Sequence, residues 1–404
     1  MTKMIFTLFF QVMFSYAVLY AQSSSVKQDY TADIDYFHDQ LIARHKNLFV
    51  NISRKVFDSL TNDLKSHASE LSRETFIVRL CSINALIADE HTRIDPGFEK
   101  VFPLRFDYFD EGLAIILSDS ANSRYLSCRL LAIDNHTVDE VITKLSGILK
   151  KDNASFIKFW IAYYCNKPEL LKGLGIIEQE KEAHFRLLTL QGDSISVIIG
   201  AVPVDQAGML QKAEPLNNLM AFSRDDFYWY QFDTTYDALY FNYTQCAEDD
   251  HLPFETFNRQ LFKEIELRRP SKLIVDLRYN GGGYSSVLNP FLRSIRSSYL
   301  NAEGKLYVLI GRKTFSSALM NAVELVKENH AIAVGEPTGA NINHFGEVRS
   351  FELPISRITV YYSTKFWNNW PGHDGPLLPD ILIHHSYNNF LKGEDEALEY
   401  IRKQ

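Results

Sequence analysis

The sequence predicts an α/β protein of several domains, and three observations support this prediction. In the C-terminal segment, apolar runs of strand length alternate with helical patterns of about 10 to 15 residues. In the N-terminal segment, apolar side chains recur at a helical period. The segment between them mixes short β-like runs with helical ones. Regular alternation of strands and helices is typical of βαβ units, so the C-terminal segment should contain a largely parallel sheet.

Residues 1–21 are typical of a secretory signal peptide. Lys3 lies near the start, an apolar stretch follows that is interrupted by Gln11 and Ser15, and the small residue Ala21 stands where cleavage could occur. The stretch is too short and too interrupted for a stable transmembrane helix. We therefore expect an exported chain, periplasmic or extracellular, without an integral membrane segment once the signal peptide is removed.

Changes of pattern give the remaining domain bounds. Residues 22–98 form a predicted N-terminal helical domain, which ends where Asp95 is followed by Pro96. Residues 99–205 form a mixed α+β region. Residues 206–404 contain the regular alternation of strands and helices and form the predicted α/β core.

Charge and cysteine spacing exclude several classes of partner. The formal net charge is −8 and no run of Lys and Arg is present, so we expect neither nucleic acid nor an anionic membrane as a partner. Cys81, Cys128, Cys165 and Cys246 lie far apart without a C-x-x-C spacing, which argues against a metal cluster and leaves one or two disulfides open. No dinucleotide fingerprint is present, so we expect no cofactor and no metal.

Two loops follow predicted strands, and ligands of parallel sheets bind at the carboxyl ends of strands. One contains Gly281, Gly282 and Gly283, whose amides can converge on an anion or an oxyanion. Taken alone, three glycines more often make a tight turn into a helix. A phosphate-binding loop is disfavoured because no Gly-Lys-Ser/Thr follows.

The second loop places Ser316 and Ser317 where a predicted helix begins, so unpaired amides and the positive end of the helix dipole surround them. A serine there is most often an N-cap, worth about 1 kcal/mol, but with two serines one can cap while the other faces outward. A nucleophilic serine also needs a base. His91, flanked by Asp89 and Glu90, is one candidate. Spacing alone does not distinguish it from His330, His344, His373, His384 and His385.

Five strings in this order resemble the C-terminal processing peptidase and tricorn family of serine peptidases, the tail-specific proteases. They are DEHT (89–92), LIVDLRYNGGG (273–283), TFSSA (314–318), VGEPTG (334–339) and LLPDILI (377–383). HKNLF (45–49) also looks like the helical cap of secreted members. The resemblance implies a catalytic core of the ClpP/crotonase-like type and a partial, divergent PDZ-like module in the middle region.

Residue by residue, the resemblance implies that Ser316 is the nucleophile of an acyl-enzyme. Its oxyanion hole would use the amides of Gly282, Gly283 and Ser317. These are three backbone donors from two loops at the same edge of the sheet.

One position departs from the family. Members with a Ser/Lys dyad carry a lysine shortly after GEPT, but here that position is Asn341. The tricorn-like branch uses a histidine, which corresponds to His91, and a carboxylate, for which Asp374 is our prediction. Glu336 is an alternative carboxylate, and Lys365 is a less favoured alternative base.

The predicted function is therefore that of an exported serine endopeptidase acting on peptides or unfolded protein segments. Because the dyad lysine is absent and aromatic residues are numerous, a non-catalytic binding protein on the same scaffold, holding an apolar or peptide ligand, stays open. A hydrolase of non-peptide esters or cell-wall cross-links is a third alternative, since an acyl-transfer site does not specify its leaving group.

Overall fold

The structure, a computed structural model, describes residues 28–208 and 210–404. The predicted signal peptide, residues 1–21, lies outside the described residues. Within the described part, the strands form four sheets, and helices accompany them throughout, as predicted for an α/β protein. Among the described helices, none combines the length and the apolar character that a membrane span requires.

The N-terminal segment is helical, as expected. Serine caps begin two of its helices, because the side chains of Ser53 and Ser72 accept hydrogen bonds from the amides of Val56 and Thr75. Its elements are α1 (Thr31–Arg44), α2 (Arg54–Ser66), α3 (Arg73–Ile87) and β1 (Arg93–Asp95).

The middle segment contains most of a seven-stranded antiparallel sheet in the order β10-β4-β5-β7-β8, in which β3 pairs with β4 and β6 pairs with β5. The strands of this sheet are β3 (Leu104–Phe109), β4 (Gly112–Ser118), β5 (Arg129–Ile133), β6 (His136–Thr137), β7 (Glu182–Leu188), β8 (Ser194–Gly200) and β10 (Gln211–Lys212). Two further strands, β2 (Lys100–Val101) and β9 (Val202–Pro203), pair with each other in a separate sheet. The helices of the middle segment are α4 (Val138–Ser146), α5 (Ala154–Tyr164), α6 (Pro168–Gly173) and α7 (Glu214–Asn218).

The C-terminal segment contains the parallel sheet that the alternating pattern predicted. Its order is β11-β12-β13-β14-β15-β18, and every neighbouring pair except β11 with β12 is parallel. The strands are β11 (Tyr228–Asp233), β12 (Ala238–Tyr243), β13 (Lys272–Asp276), β14 (Leu306–Ile310), β15 (Ile332–Gly335), β16 (Asn343–Glu352), β17 (Thr359–Asn368) and β18 (Ile381–Leu382). The helices are α8 (Phe254–Arg268), α9 (Asn289–Arg296), α10 (Ser317–Glu328), α11 (Tyr387–Lys392) and α12 (Glu396–Arg402).

A hairpin from the C-terminal segment joins the N-terminal helices. β16 and β17 form this hairpin, and β17 also pairs with β1, with Ile94 opposite Val360. The buried Asp33 carboxylate of α1 accepts hydrogen bonds from the amides of Ile355 and Ser356 in the hairpin turn, at 2.6 and 2.8 Å. These contacts place the DEHT segment, which precedes β1, against the C-terminal core. The domain bounds at residues 98 and 205 stay a prediction.

The four cysteines are free and buried. The structure therefore forms neither of the disulfides that the sequence left open. The core depends on apolar packing instead, with two large clusters. One joins the N-terminal helices, the middle sheet and the β16–β17 hairpin, and the other surrounds the parallel sheet.

Candidate active site

Ser316 lies in a sharp turn between strand β14 and helix α10. Its backbone angles are φ 51° and ψ −124°, a conformation that a residue with a side chain adopts only under strain of about 1 to 3 kcal/mol. Its side chain makes no capping hydrogen bond to the helix. The Ser316 side chain therefore does not act as an N-cap. A strained strand-to-helix turn that leaves a serine hydroxyl available is typical of nucleophile elbows.

The glycine loop packs directly against Ser316. Gly282 and Gly283 have φ values of 104° and 133°, which side chains disfavour. A Cβ added to Gly282 would lie 2.8 Å from the Cβ of Ser316, so a larger residue would displace the serine. The Ser317 hydroxyl donates to the Gly283 carbonyl at 2.6 Å and holds the two loops together.

One of the three predicted oxyanion donors already has an acceptor. The Gly282 amide donates to Oδ1 of Asn280 at 2.9 Å, so in this conformation it does not face a substrate oxygen. Sequence reasoning missed Asn280, although it directly precedes the three glycines. The Asn280 side chain is buried, and its Nδ2 donates to the Tyr243 carbonyl. The backbone carbonyl of Asn280 accepts from the Phe315 amide.

The structure brings His91 to the loop that carries Ser316. The imidazole lies 4.7 Å from the Phe315 ring, centroid to centroid, and stacks on His344 at 5.2 Å. It is 7% exposed, and within residues 28–208 and 210–404 neither ring nitrogen has a hydrogen-bond partner. The ring is thus next to Phe315 but does not yet bond the Ser316 hydroxyl.

Burial determines the charge of His91. It is the main cause of a pKa of about 3 for the imidazole; the neighbouring His344 acts in the same direction, whereas Asp89 acts in the opposite direction. The ring is therefore neutral near pH 7, which is the protonation state that a general base needs.

Asp89 holds the loop that carries His91. Its carboxylate accepts from the His91 amide at 2.9 Å, from the Thr92 hydroxyl at 2.5 Å and from Nε2 of His45 at 3.0 Å. Burial alone would raise the pKa of Asp89, but these donors and the nearby imidazole keep it well below its usual range. His45 comes from the HKNLF string, and its role was not predicted.

The predicted hydrogen bond between Asp374 and His91 is not formed. Asp374 is exposed and lies between Gly372 and Gly375, whose φ values of 83° and 78° belong to an exposed turn. The His91 ring is buried, and in the part of the chain that the structure describes neither ring nitrogen has a hydrogen-bond partner. The role of Asp374 as the orienting carboxylate therefore stays a prediction, one that this conformation does not display.

The alternatives are engaged elsewhere. Glu336 accepts from Nε of Arg312 at 2.8 Å, and the ammonium of Lys365 lies 3.4 Å above the centre of the Trp367 ring. Neither contact involves His91.

The position of the absent dyad lysine is part of a buried ionic network. The Asn341 amide donates to Glu90 at 2.8 Å, and Nζ of Lys150 donates to the same carboxylate oxygen at 2.8 Å. Lys150 and Glu90 have side chains that are each 3% exposed. Burial raises the pKa of Glu90, although Lys150 opposes this. The network joins the DEHT segment to the loop after GEPT.

Among the other candidate histidines, His344 is the one stacked on His91, and its Nδ1 lies 2.8 Å from the Asn341 carbonyl. His384 and His385 instead pair with Asp110 and Asp107, at 3.0 and 3.2 Å. Sequence spacing could not have made this distinction.

Comparisons with known proteins show the fold. No family model and no curated protein matches the sequence. Mature CPAF matches with a TM-score of 0.66 and 13% identity, over 93% of this chain and 96% of that chain. Mature CPAF complexed with lactacystin matches with a TM-score of 0.66 and 12% identity, over 93% and 97%. The photosystem II D1 C-terminal processing protease matches with a lower TM-score of 0.43 and 12% identity, over 92% of this chain and 96% of that chain. The chain therefore has the fold of mature CPAF, and this α/β fold agrees with the resemblance of its motifs to the C-terminal processing and tricorn-type serine peptidases.

Proposed function

We propose that this protein is a serine peptidase that hydrolyses peptide bonds through an acyl-enzyme on Ser316. One observation carries the proposal. Ser316 occupies a strained turn at the start of α10, makes no capping bond and contacts the glycine loop, while a neutral imidazole lies on Phe315, the residue before it.

In the proposed reaction, His91 accepts the hydroxyl proton as Ser316 attacks the substrate carbonyl. The amides of Gly283 and Ser317 stabilise the resulting oxyanion, since the Gly282 amide is occupied by Asn280. The imidazolium then returns the proton to the leaving amine, and water hydrolyses the acyl-enzyme with the same base.

This reaction requires a rearrangement, because His91 and Ser316 form no hydrogen bond in this conformation. Catalytic hydrogen bonds are often long before substrate binds. A substrate that contacts Phe315 would shift the Phe315 ring, and the His91 ring that packs against it would shift as well. The buried Asp89 carboxylate favours the imidazolium electrostatically, and an interaction of Asp374 would require its turn to fold inward.

A fluorophosphonate probe tests the proposal directly. We expect covalent labelling of the folded protein, with the adduct on Ser316 by peptide mass spectrometry, and no labelling of Ser316→Ala. Ser196→Ala, which removes an exposed hydroxyl on β8, is the matched control and should label like the original protein. His91→Gln should slow labelling by about 10²- to 10⁴-fold. Equal labelling of Ser316→Ala and the original protein would exclude Ser316 as the nucleophile.

A non-catalytic binding protein is the second candidate, and a large aromatic cavity beside Phe315 favours it. An apolar ligand retained through purification, together with a folded protein that no probe labels, would support this alternative.

We also propose that the chain is exported and meets its peptide substrates outside the cytoplasm. The support is the sequence pattern of residues 1–21. A mature N-terminus just after residue 21, measured by mass spectrometry of the exported protein, is the expected result. An intact N-terminus would contradict it.

A further inference from the structure

A cavity of about 510 Å³ opens beside the turn that carries Ser316. We call it the α5 cavity, because helix α5 forms one wall. Gly281 and Phe315, which precede Gly282 and Ser316, are among the residues that line it. Its walls are aromatic and include Phe106, Phe156, Phe159, Trp160, Tyr163 and Tyr279. A volume of this size is typical of a site that takes a substrate group.

Positive charge dominates the lining of the α5 cavity. Four cationic side chains line it, from Arg105, Lys167, Arg312 and Lys313, whereas Asp107 is the carboxylate among its lining residues. An apolar cavity lined by more cationic than anionic side chains favours an anionic ligand.

The one lining carboxylate is already engaged. Asp107 lies 3.2 Å from Nε2 of His385, and Nη1 of Arg312 approaches it at 3.8 Å. Burial alone would raise the pKa of Asp107, but His385 and Arg312 keep it well below its usual range. Asp107 therefore offsets part of the charge of Arg312 and of Lys313, and the four cations still outnumber the one carboxylate.

Arg312 has a buried donor without an acceptor. Its side chain is 7% exposed, its Nε donates to Glu336 at 2.8 Å, and its Nη1 donates to the Tyr108 carbonyl. Within the described residues, Nη2 is buried and has no hydrogen-bond partner. Buried donors are nearly always satisfied, so Nη2 of this lining residue is a donor that a bound acceptor would satisfy.

The two lysines show the same lack of partners. Within residues 28–208 and 210–404, neither Lys167 nor Lys313 forms an ion pair. Their ammonium groups instead lie 4.7 Å from the Tyr163 ring centre and 5.4 Å from the Tyr279 ring centre. Burial lowers the pKa of Lys167 to about 8, and Arg105 acts in the same direction. A bound anion would relieve this burial of unpaired charge.

We propose that the α5 cavity is a specificity subsite for an acidic side chain, aspartate or glutamate, close to the peptide bond that is cleaved. This inference rests on the proposed peptidase function. Carboxylate oxygens can accept from Nη2 of Arg312 and from the ammonium groups of Lys167 and Lys313 in charge-assisted hydrogen bonds. The aromatic walls exclude water around these bonds and contact the methylene groups of the substrate. The terminal carboxylate of a peptide has the same chemistry, so the experiment must separate the two sources.

Matched peptides distinguish these sources. A fluorogenic series places glutamate or glutamine at each position flanking a common cleavage site, and each peptide is made with a free and with an amidated C-terminus. At one position we expect the glutamate peptide to have a kcat/KM roughly ten- to a hundredfold above its glutamine partner. Amidation should change neither value. Equal cleavage of both peptides, or a preference that amidation abolishes, would overturn the proposal.

Lys167→Met tests the cavity, and Lys158→Met is the control, because Lys158 lies on α5, close to Lys167 in the chain, but is not among the residues that line the cavity. Lys167→Met should reduce the glutamate preference at least tenfold with little effect on the glutamine peptide, whereas Lys158→Met should retain the preference. An unchanged preference in Lys167→Met would overturn the assignment.

Binding to Ser316→Ala separates this inference from the proposed function. Calorimetry should show tighter binding of the glutamate peptide than of the glutamine peptide even without turnover. Equal binding would overturn the subsite. A Ser316-dependent probe adduct with no acidic preference would overturn the subsite alone, whereas selective binding without any adduct would support the subsite and contradict the peptidase.

Discussion

Replacing His91 by phenylalanine is expected to stabilise the protein, and most strongly in mild acid. The imidazole is buried, and burial is the main cause that lowers its pKa from 6.5 to about 3. As the pH falls below about 6.5, the unfolded chain binds a proton at this residue that the folded chain does not bind. The stability associated with neutral His91 is therefore lost progressively between about pH 6.5 and pH 3.

The magnitude follows from these two pKa values. Between pH 7 and pH 5, proton binding to His91 in the unfolded chain should lower the free energy of unfolding by about 2 kcal/mol. His91→Phe lacks this loss, and other titrating groups largely cancel in the comparison because both proteins contain them. Phenylalanine also removes two buried ring nitrogens without partners, which each cost about 1 to 3 kcal/mol at any pH.

Urea unfolding, followed by tryptophan fluorescence at pH 7, 6 and 5, measures this difference. The stability advantage of His91→Phe should grow by about 2 kcal/mol over this range. His251→Phe replaces an exposed histidine and should follow the original protein. Parallel curves for His91→Phe and the original protein would refute the burial of a neutral imidazole. Probe labelling of His91→Phe should be lost, so that stability and activity change in opposite directions.

Two further replacements test the loops around the site. Gly282→Ala should reduce fluorophosphonate labelling at least tenfold, because its Cβ would lie 2.8 Å from the Cβ of Ser316 and its φ is 104°. Gly281→Ala, whose Cβ would meet no atom within 4 Å, should lose much less, and equal loss in both variants would contradict the steric argument. Lys150→Met should lower the free energy of unfolding by about 3 to 5 kcal/mol, because it leaves the Glu90 carboxylate buried without its cation. Adding Glu90→Leu should recover most of this loss in urea unfolding, and an unchanged midpoint in the single variant would show that the ion pair does not support the fold.

The sequence predicted the parts of the molecule that depend on local patterns. The fully buried apolar run of β14 and the helical period after it predicted a strand, a turn and a helix, and the structure has β14, Ser316 and α10 in that order. Because parallel strands end at one edge of a sheet, the glycine loop after β13 could be expected beside Ser316. The α/β fold class is confirmed for this reason.

The arrangement of side chains at the site was not predictable in the same way. Its place in a motif predicted Asp374 as the carboxylate that orients His91, but in this conformation Asp374 lies in an exposed turn and does not bond the His91 ring. Gly282 was predicted as a donor of the oxyanion hole, but the Gly282 amide donates to the side chain of the nearby Asn280 instead. The Lys150–Glu90 pair had no sequence signal, because its members are far apart in the chain and only packing brings them together.

By itself, the sequence determined the alternation of strands and helices in the C-terminal core, the loop that places Ser316 at the start of a helix, and the three glycines of the neighbouring loop. The tertiary structure decided which histidine lies beside that turn, because β17 pairs with β1 and carries the DEHT segment across to the C-terminal core. Helical and strand periodicities arise from backbone hydrogen bonds between residues whose spacing is regular, so they are visible in the chain. Contacts between distant segments depend on the packing of whole surfaces, and no short pattern of residues records them.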